Sequence, residues 1–160
     1  MFIEEVEVIN LLDDTKYLDE VSEWIWEHWS KKHNARLQDI IYRSKHSLNY
    51  EDIPQMYIAK YNDRVIGVVS IWRNDLTARQ DLYPWMATLL VKEEYRNRGV
   101  GTLLQKKVIE ESKKIKYRYL YLITDLDNYY EKVGWEFLEK APLENGYYTR
   151  IYRYNLIENE

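Results

Sequence analysis

The 160-residue sequence contains no cysteine, which removes disulfides, thiolate nucleophiles and Cys-ligated zinc while fitting either redox compartment. Histidine is nearly as scarce. His28, His33 and His46 make no i, i+4 pair beside a carboxylate, so no metal is expected and the three read as solvated or helix-packing residues. No apolar run approaches the roughly 18 residues of a membrane span. The amino-terminal MFIEEVEVIN is acidic and alternating, whereas a signal or transit peptide is basic and then apolar. A soluble, cytoplasmic protein without a membrane partner is the expectation. An excess of basic charge is also missing: 23 Lys and Arg stand against 27 Asp and Glu, a net charge of -4. The two signs are interspersed, which leaves no electrostatic footprint for nucleic acid and suits a cationic or neutral small substrate.

What the chain does have is 46% hydrophobic and 31% charged residues, a globular composition. The length suits one domain, residues 1–160, able to bury roughly two-thirds of the surface its unfolded form exposes. Phenylalanine is rare, with two against sixteen Tyr and six Trp. Most of these rings are expected to pack in the core with their polar tips satisfied, and a minority to line a pocket.

Periodicity sets the element order. Residues Ile3 to Asn10 alternate as an edge strand. After the capping candidates Asp13, Asp14 and Thr15, Leu18, Val21, Ile25 and Trp29 recur as one buried helical stripe. A second helix is expected from Leu37 to about Ser47. Trp26 lies off the stripe, either as a flank contact with that second helix or as a wall of the substrate entrance. MYIAKYNDRVIGVVSIW reads as a hairpin, Met56 to Tyr61 and Arg64 to Trp72 around Asn62-Asp63. Its second strand is apolar enough to be covered on both faces. A polar connection ending at Pro84 leads to a central strand, Trp85 to Val91. A helix to about Lys116 comes next, with Val100, Leu104, Val108, Ser112 and Ile115 on one stripe. Tyr117 to Thr124 reads as a strand, Asn128 to Val133 as a short helix closed by Gly134, and WEFLEK and YYTRIYRYNL as two strands around Asn145-Gly146. No repeat, low-complexity tract or linker interrupts this α/β order.

Glycine is scarce too, at five residues, yet Gly99 and Gly101 stand two apart in EEYRNRGVGTLLQ, just where an amphipathic helix begins. The first turn of a helix leaves four amide donors without intrahelical partners, and the aligned peptide dipoles favour an anion there. Glycine has no Cβ to hold a phosphate oxygen away from those amides. Arg96 and Arg98 add permanent charge. The loop is not a P-loop, because Thr102 follows Gly101 where a lysine would stand. It is a poor dinucleotide fingerprint as well, since the third glycine and the following acidic residue are absent. On the glycines alone, a tight turn with solvated arginines competes evenly with an anion site.

The flanking residues break that tie. Arg96, Gly99 and Gly101 resemble the acyl-coenzyme A loop of the GNAT superfamily of N-acetyltransferases: Arg or Gln, two variable residues, Gly, one variable residue, then Gly or Ala. Downstream, Tyr129, Tyr130, Glu131, Lys132, Gly134 and Trp135 resemble the family's second signature. The resemblance extends over most of the element order, with the first fifty residues matching by pattern only. It implies an α/β GNAT acyltransferase fold, a mixed, mostly antiparallel twisted sheet of about seven strands layered with about four helices. It also implies acetyl-CoA as cosubstrate, with no metal, and a primary amine as acceptor, attacked directly in a ternary complex. Many relatives pair into homodimers.

By the same resemblance the strand residues Leu89, Leu90 and Val91 would hold the pantetheine arm. Arg96, Asn97, Arg98, Gly99, Val100, Gly101 and Thr102 would hold the diphosphate, and Tyr130 would be the general acid that protonates the departing thiolate. Asn128 stands in for an asparagine common in relatives. The glutamate that many relatives carry on the strand before the loop is missing, which leaves water relayed to Asp81 or Asp125, or bulk solvent, as the proton acceptor. Trp26, Trp72, Asp75 and Trp85 would border an acceptor such as a polyamine or aminosugar, and a protein amine stays open as the alternative acceptor. A non-catalytic acyl-CoA sensor on the same fold is the competing class.

Overall fold

In the computed structural model, which describes residues 1–157, the chain begins with β1 (Glu7–Asn10), α1 (Leu18–Ile25) and α2 (Leu37–Lys45). Then come β2 (Gln55–Tyr61), β3 (Arg64–Trp72), β4 (Trp85–Val91) and α3 (Val100–Lys114). It closes with β5 (Tyr119–Thr124), β6 (Glu136–Pro142) and β7 (Tyr148–Asn155). The seven strands form one sheet in the order β1-β2-β3-β4-β5-β7-β6. Every neighbouring pair is antiparallel except β4 and β5. No helix among the described residues is long and apolar enough to cross a membrane.

The apolar run of β3 is buried continuously from Val65 to Ile71, because helices cover both faces of the sheet at its centre. On β2, Tyr57 and Ala59 point to the α3 side, where Val100, Leu104, Val108 and Ile109 meet them. Met56 and Ile58 point to the other side, against Val21 and Ile25 of α1 and Ile40 of α2. The two-residue period of a strand makes this division automatic. Burying a side chain of this size stabilises the fold by about 1.5 to 3 kcal/mol, so these two clusters fix where α3 begins and where α1 ends.

Local winding departs from the sequence pattern in three places. Residues Ile3–Glu5 form a 3-10 turn in place of the start of the first strand. The Phe2 amide donates to the Glu5 carboxylate at 3.2 Å and closes that turn. Next, α1 stops at Ile25 and passes into a π-turn, Trp26–Ser30. The wider turn carries Trp29 off the buried stripe, leaving it 36% exposed. Finally, the expected fourth helix is a 3-10 segment, Tyr130–Val133, ended by Gly134 at φ 109°. The short span between β5 and β6 leaves room for one turn, so the sheet carries three α-helices.

Gly67 on β3 is what lets α3 lie so close to the sheet. A Cβ there would stand 2.8 Å from Leu104 Cδ1 and 3.3 Å from both the Leu90 carbonyl oxygen and Val100 Cγ1. Leu104 can swing aside, but the strand carbonyl and the helix start cannot. Gly67→Ala is therefore expected to destabilise the protein by about 1 to 3 kcal/mol, read as a fall in thermal midpoint of roughly 2 to 4 °C per kcal/mol. An unchanged midpoint would show that α3 is free to ride outward.

Candidate active site

The site begins where the sheet fails to stay closed. β4 and β5 share a single register pair, Trp85 with Tyr121, supported by a 3.0 Å bond from the Tyr121 amide to the Pro84 carbonyl. Beyond it the strands part. On its other edge β4 also loses register: Ala87 pairs with Ser70 and Leu90 with Val68, so Thr88 and Leu89 together face the single residue Val69. This bulge holds Thr88 at φ 53°, an unusual conformation for a β-branched residue, costing on the order of 1 to 3 kcal/mol. A buried hydrogen bond of 2.6 Å between the Thr88 and Ser70 hydroxyls holds it there. The stretch Thr88–Leu89 thus has no register partner on either neighbour, and its backbone is available to an extended ligand arm.

At the end of β4 the chain turns into α3 through two left-handed positions, Asn97 at φ 61° and Gly99 at φ 91°. The Arg96 Nε donates to the Val91 carbonyl at 3.0 Å and ties the loop to the strand end. The first amide of the helix to find an acceptor is that of Leu103, bonded to the Gly99 carbonyl at 3.0 Å. The six amides from Asn97 to Thr102 have no acceptor among the described residues. Unpaired donors facing a cavity at a helix start are suited to a phosphate group. The cavity beside them, about 480 Å³, is lined by Leu89, Leu90, Val91, Arg96, Asn97, Gly99, Val100, Gly101 and Thr102, and closed by Tyr95, Tyr129 and Tyr130.

A second cavity of about 670 Å³ lies on the other side of the gap. Met86 to Leu89 of β4 and Leu122 to Asp125 at the end of β5 form its walls, with Ile25, His28, Trp29, Arg43, Trp72 and Asp75 opposite. Both volumes are in the range of small-molecule sites. Four residues line both cavities: His28, Leu89, Leu126 and Tyr130. A molecule bound in one can therefore meet a molecule bound in the other at Tyr130.

The titratable groups around this junction are pushed in different directions. Burial, with a smaller contribution from Tyr129, pushes the Tyr130 phenol up to about 12, so it keeps its proton. Partial burial and the Arg96 and Lys32 charges hold the His28 imidazole below its usual value. Asp75, half-buried beside Trp72, is pushed up to about 7 by burial and partly held back by Arg43. The Arg43 guanidinium in turn lies 4.6 Å from the centre of the Trp72 ring.

Most residues singled out in the sequence meet here, but several do not. Asp81 is spent in an exposed pair with Arg79, at 2.9 and 2.8 Å, and lines neither cavity. Trp85 is fully buried, its Nε1 donating to the Leu82 carbonyl at 2.6 Å, so it forms the junction of the strands and no part of the acceptor wall. Trp26 donates to the Ala35 carbonyl at 2.7 Å and pins the π-turn outside the cavity. The Arg98 side chain and Asn128, the latter at φ 57° in the turn before Tyr130, line neither cavity; Arg98 offers only its amide. Tyr129, named above only as part of the second signature, closes the first cavity. His28, read as solvated, stands at the junction. Its place in the predicted helix that carries Trp26, a residue expected to border the acceptor, was the one signal that could have found it, and the π-turn that aims it has no sequence signature.

The arrangement sets a helix start with unpaired amides beside one cavity and opens onto a second across splayed parallel strands. A family model described as the acetyltransferase (GNAT) family matches residues 18–135. The chain belongs to that family. It is 30% identical over 105 residues to N-alpha-acetyltransferase 30 of Schizosaccharomyces pombe, covering 62% of this chain and 63% of that protein; the chain thus spans under two-thirds of that relative's length. Among solved structures, an aminoglycoside 6'-N-acetyltransferase complexed with coenzyme A superimposes with a TM-score of 0.76 at 16% identity, over 96% of this chain and 99% of that one. A GNAT-family acetyltransferase from Staphylococcus aureus Mu50 gives 0.69 at 20% identity, over 95% and 99%.

The two loop glycines should behave differently on substitution. At Gly101 a Cβ would sit 3.8 Å from Val91 Cγ2 and 3.9 Å from the Tyr129 hydroxyl, which is ordinary contact, so Gly101→Ala is expected to keep coenzyme A affinity within about threefold, near 0.6 kcal/mol. Gly99 is left-handed, and an L side chain there costs about 1 to 2 kcal/mol. Gly99→Ala is expected to lose about tenfold in affinity by calorimetry, as the loop relaxes and its amides turn away. Equal losses at both positions would mean that the amide fan does not hold the diphosphate.

Proposed function

We propose that the protein transfers the acetyl group of acetyl-CoA to a primary amine of a cationic small molecule, by direct attack in a ternary complex. The observation that carries this reading is the meeting of the two cavities at Tyr130. The unpaired amides 97–102 suit the diphosphate, and the unregistered stretch Thr88–Leu89 suits the pantetheine arm. When bound, the thioester supplies the activated acetyl carbon.

The chain's own residues account for the rest. Tyr130 holds a phenolic proton for the departing sulfur. Its burial favours the neutral form, which is the form that can donate. On the acceptor side Asp75 and Asp125 supply negative charge against the single guanidinium of Arg43, which is itself held over the Trp72 ring. Such a wall favours an amine-rich cation over a neutral or anionic acceptor.

A second reading, the α-amine of a polypeptide, is favoured by the name of the Schizosaccharomyces pombe relative. Thiol release from acetyl-CoA with a panel of polyamines, aminosugars and short peptides separates the two. Turnover confined to peptides would overturn the small-molecule assignment.

The ionisation of these groups sets two expected outcomes. Tyr130→Phe should lower kcat by about 10²-fold or more while leaving acetyl-CoA affinity unchanged, and the wild-type rate should show no alkaline loss from this group until the pH nears 12. Asp75 carries its charge only above about 7. KM for a cationic amine should therefore rise as the pH falls through 7, and Asp75→Asn should raise KM at neutral pH and remove that dependence. A pH-independent KM in the wild type would exclude Asp75 from acceptor binding.

A further inference from the structure

β4 carries no carboxylate, so the strand beside the reacting atoms has no group to take the proton from the attacking amine. Asp81 is paired on the surface, and Asp75 and Asp125 line only the acceptor cavity. His28 is the one imidazole or carboxylate among the described residues that lines both cavities.

We infer that His28 is the proton acceptor of the reaction, at the junction of the two cavities that it lines together with the proton donor Tyr130. This rests on the acetyl-transfer reading above. The π-turn Trp26–Ser30 presents the residue, and the Trp29 ring, edge-on at a centroid distance of 4.5 Å, braces the imidazole from its own segment. The groups facing the junction are the cations Arg96 of the phosphate loop and Lys32 after the π-turn, the phenols Tyr130 and Tyr129, and, across the acceptor cavity, Asp75, Asp125 and Arg43. Partial burial and both nearby cations oppose a charge on the imidazole, which favours the neutral form that can accept a proton. Two titratable groups flanking one point, one held protonated and one held unprotonated, form an acid–base pair.

The proton balance closes. A ring nitrogen of His28 takes one proton from the substrate ammonium, freeing the nitrogen lone pair. The N–C bond forms, the C–S bond breaks, and the departing thiolate takes the phenolic proton of Tyr130. The acylated nitrogen sheds its second proton, which restores the phenol, and His28 returns its own to solvent. One proton is released per turnover.

The test is a comparison of His28→Gln with the wild type across pH, using the best acceptor from the amine panel. The acidic limb of kcat is expected below 6.5 in the wild type, the sense in which His28 is shifted. In the variant, kcat should fall about 10²-fold, and its limb should move up to track the amine's own pKa. Thermal midpoint and acetyl-CoA affinity should be unchanged, and added imidazole should partly restore His28→Gly. A variant keeping kcat within about threefold with the same limb overturns the assignment while acetyl transfer itself stands. A loss seen only as weaker acetyl-CoA binding makes His28 a wall of the first cavity and also overturns it. Wild-type protein that acetylates no amine overturns the underlying reading and this assignment together.

Discussion

The divergence of β4 from β5 governs everything else in this protein. A parallel pair normally continues for several residues, because each further bond costs little once the first has fixed the register. Here pairing stops after Trp85 and Tyr121. The two rings, 5.5 Å apart, hold the strands together at that point, and Trp85 is anchored by its bond to Leu82. The bulge at Thr88–Leu89 then turns β4 away from a straight course. Sheet backbone left open inside a domain is costly unless something pairs with it. An opening that persists between two ordered strands is thus a receptor for an extended chain of polar groups.

That opening dictates where the chemistry can stand. Both strands run toward the same end of the sheet, so the segment leaving each strand must emerge at the mouth of the gap. After β4 comes the start of α3 with its six unpaired amides; after β5 comes the turn that carries Tyr130. The fan of unpaired amides and Tyr130 are on opposite lips because the strands are parallel, and an antiparallel pair would have put them at opposite ends. Charge is distributed in the same sense, with amide donors and Arg96 on the cofactor lip, and Asp75 and Asp125 on the acceptor wall.

Much of this was legible in the sequence, for identifiable reasons. The stripe Val100, Leu104, Val108 and Ser112 and the apolar run of β3 are strong periodic signals, and burial bears them out. The glycine spacing and Arg96 located the amide fan, because main-chain donors at a helix start depend on sequence only through the absence of side chains. What sequence did not reveal was set by tertiary packing. Trp85 and Asp81 sit in stretches whose composition fits a pocket wall, yet a carbonyl at Leu82 and the guanidinium of Arg79 claim them. Arg79 is also bound by Glu139, sixty residues further on, a partner that no local pattern announces. The π-turn has no compositional mark at all, and it decides which of His28 and Trp29 lines the junction.

Two of the protein's local irregularities lie at this one place, which is itself informative. Thr88 is left-handed where a β-branched residue prefers extended backbone, and the helix of residues 18–30 adds a wide turn where α-winding would have buried Trp29. Each costs some stability, and neither improves the core: the Thr88 hydroxyl is satisfied by Ser70, and the exposed Trp29 gains no burial. Other irregularities, the bulges at Ala59/Lys60 and Phe137/Glu139 and the left-handed Lys116, lie elsewhere in the sheet and after α3. Thr88 and the π-turn border the same cavity, one re-aiming the strand backbone and the other presenting an imidazole. What sets these two apart is that both border one cavity while neither adds to the core, which is the pattern expected where local backbone geometry serves a site and not packing.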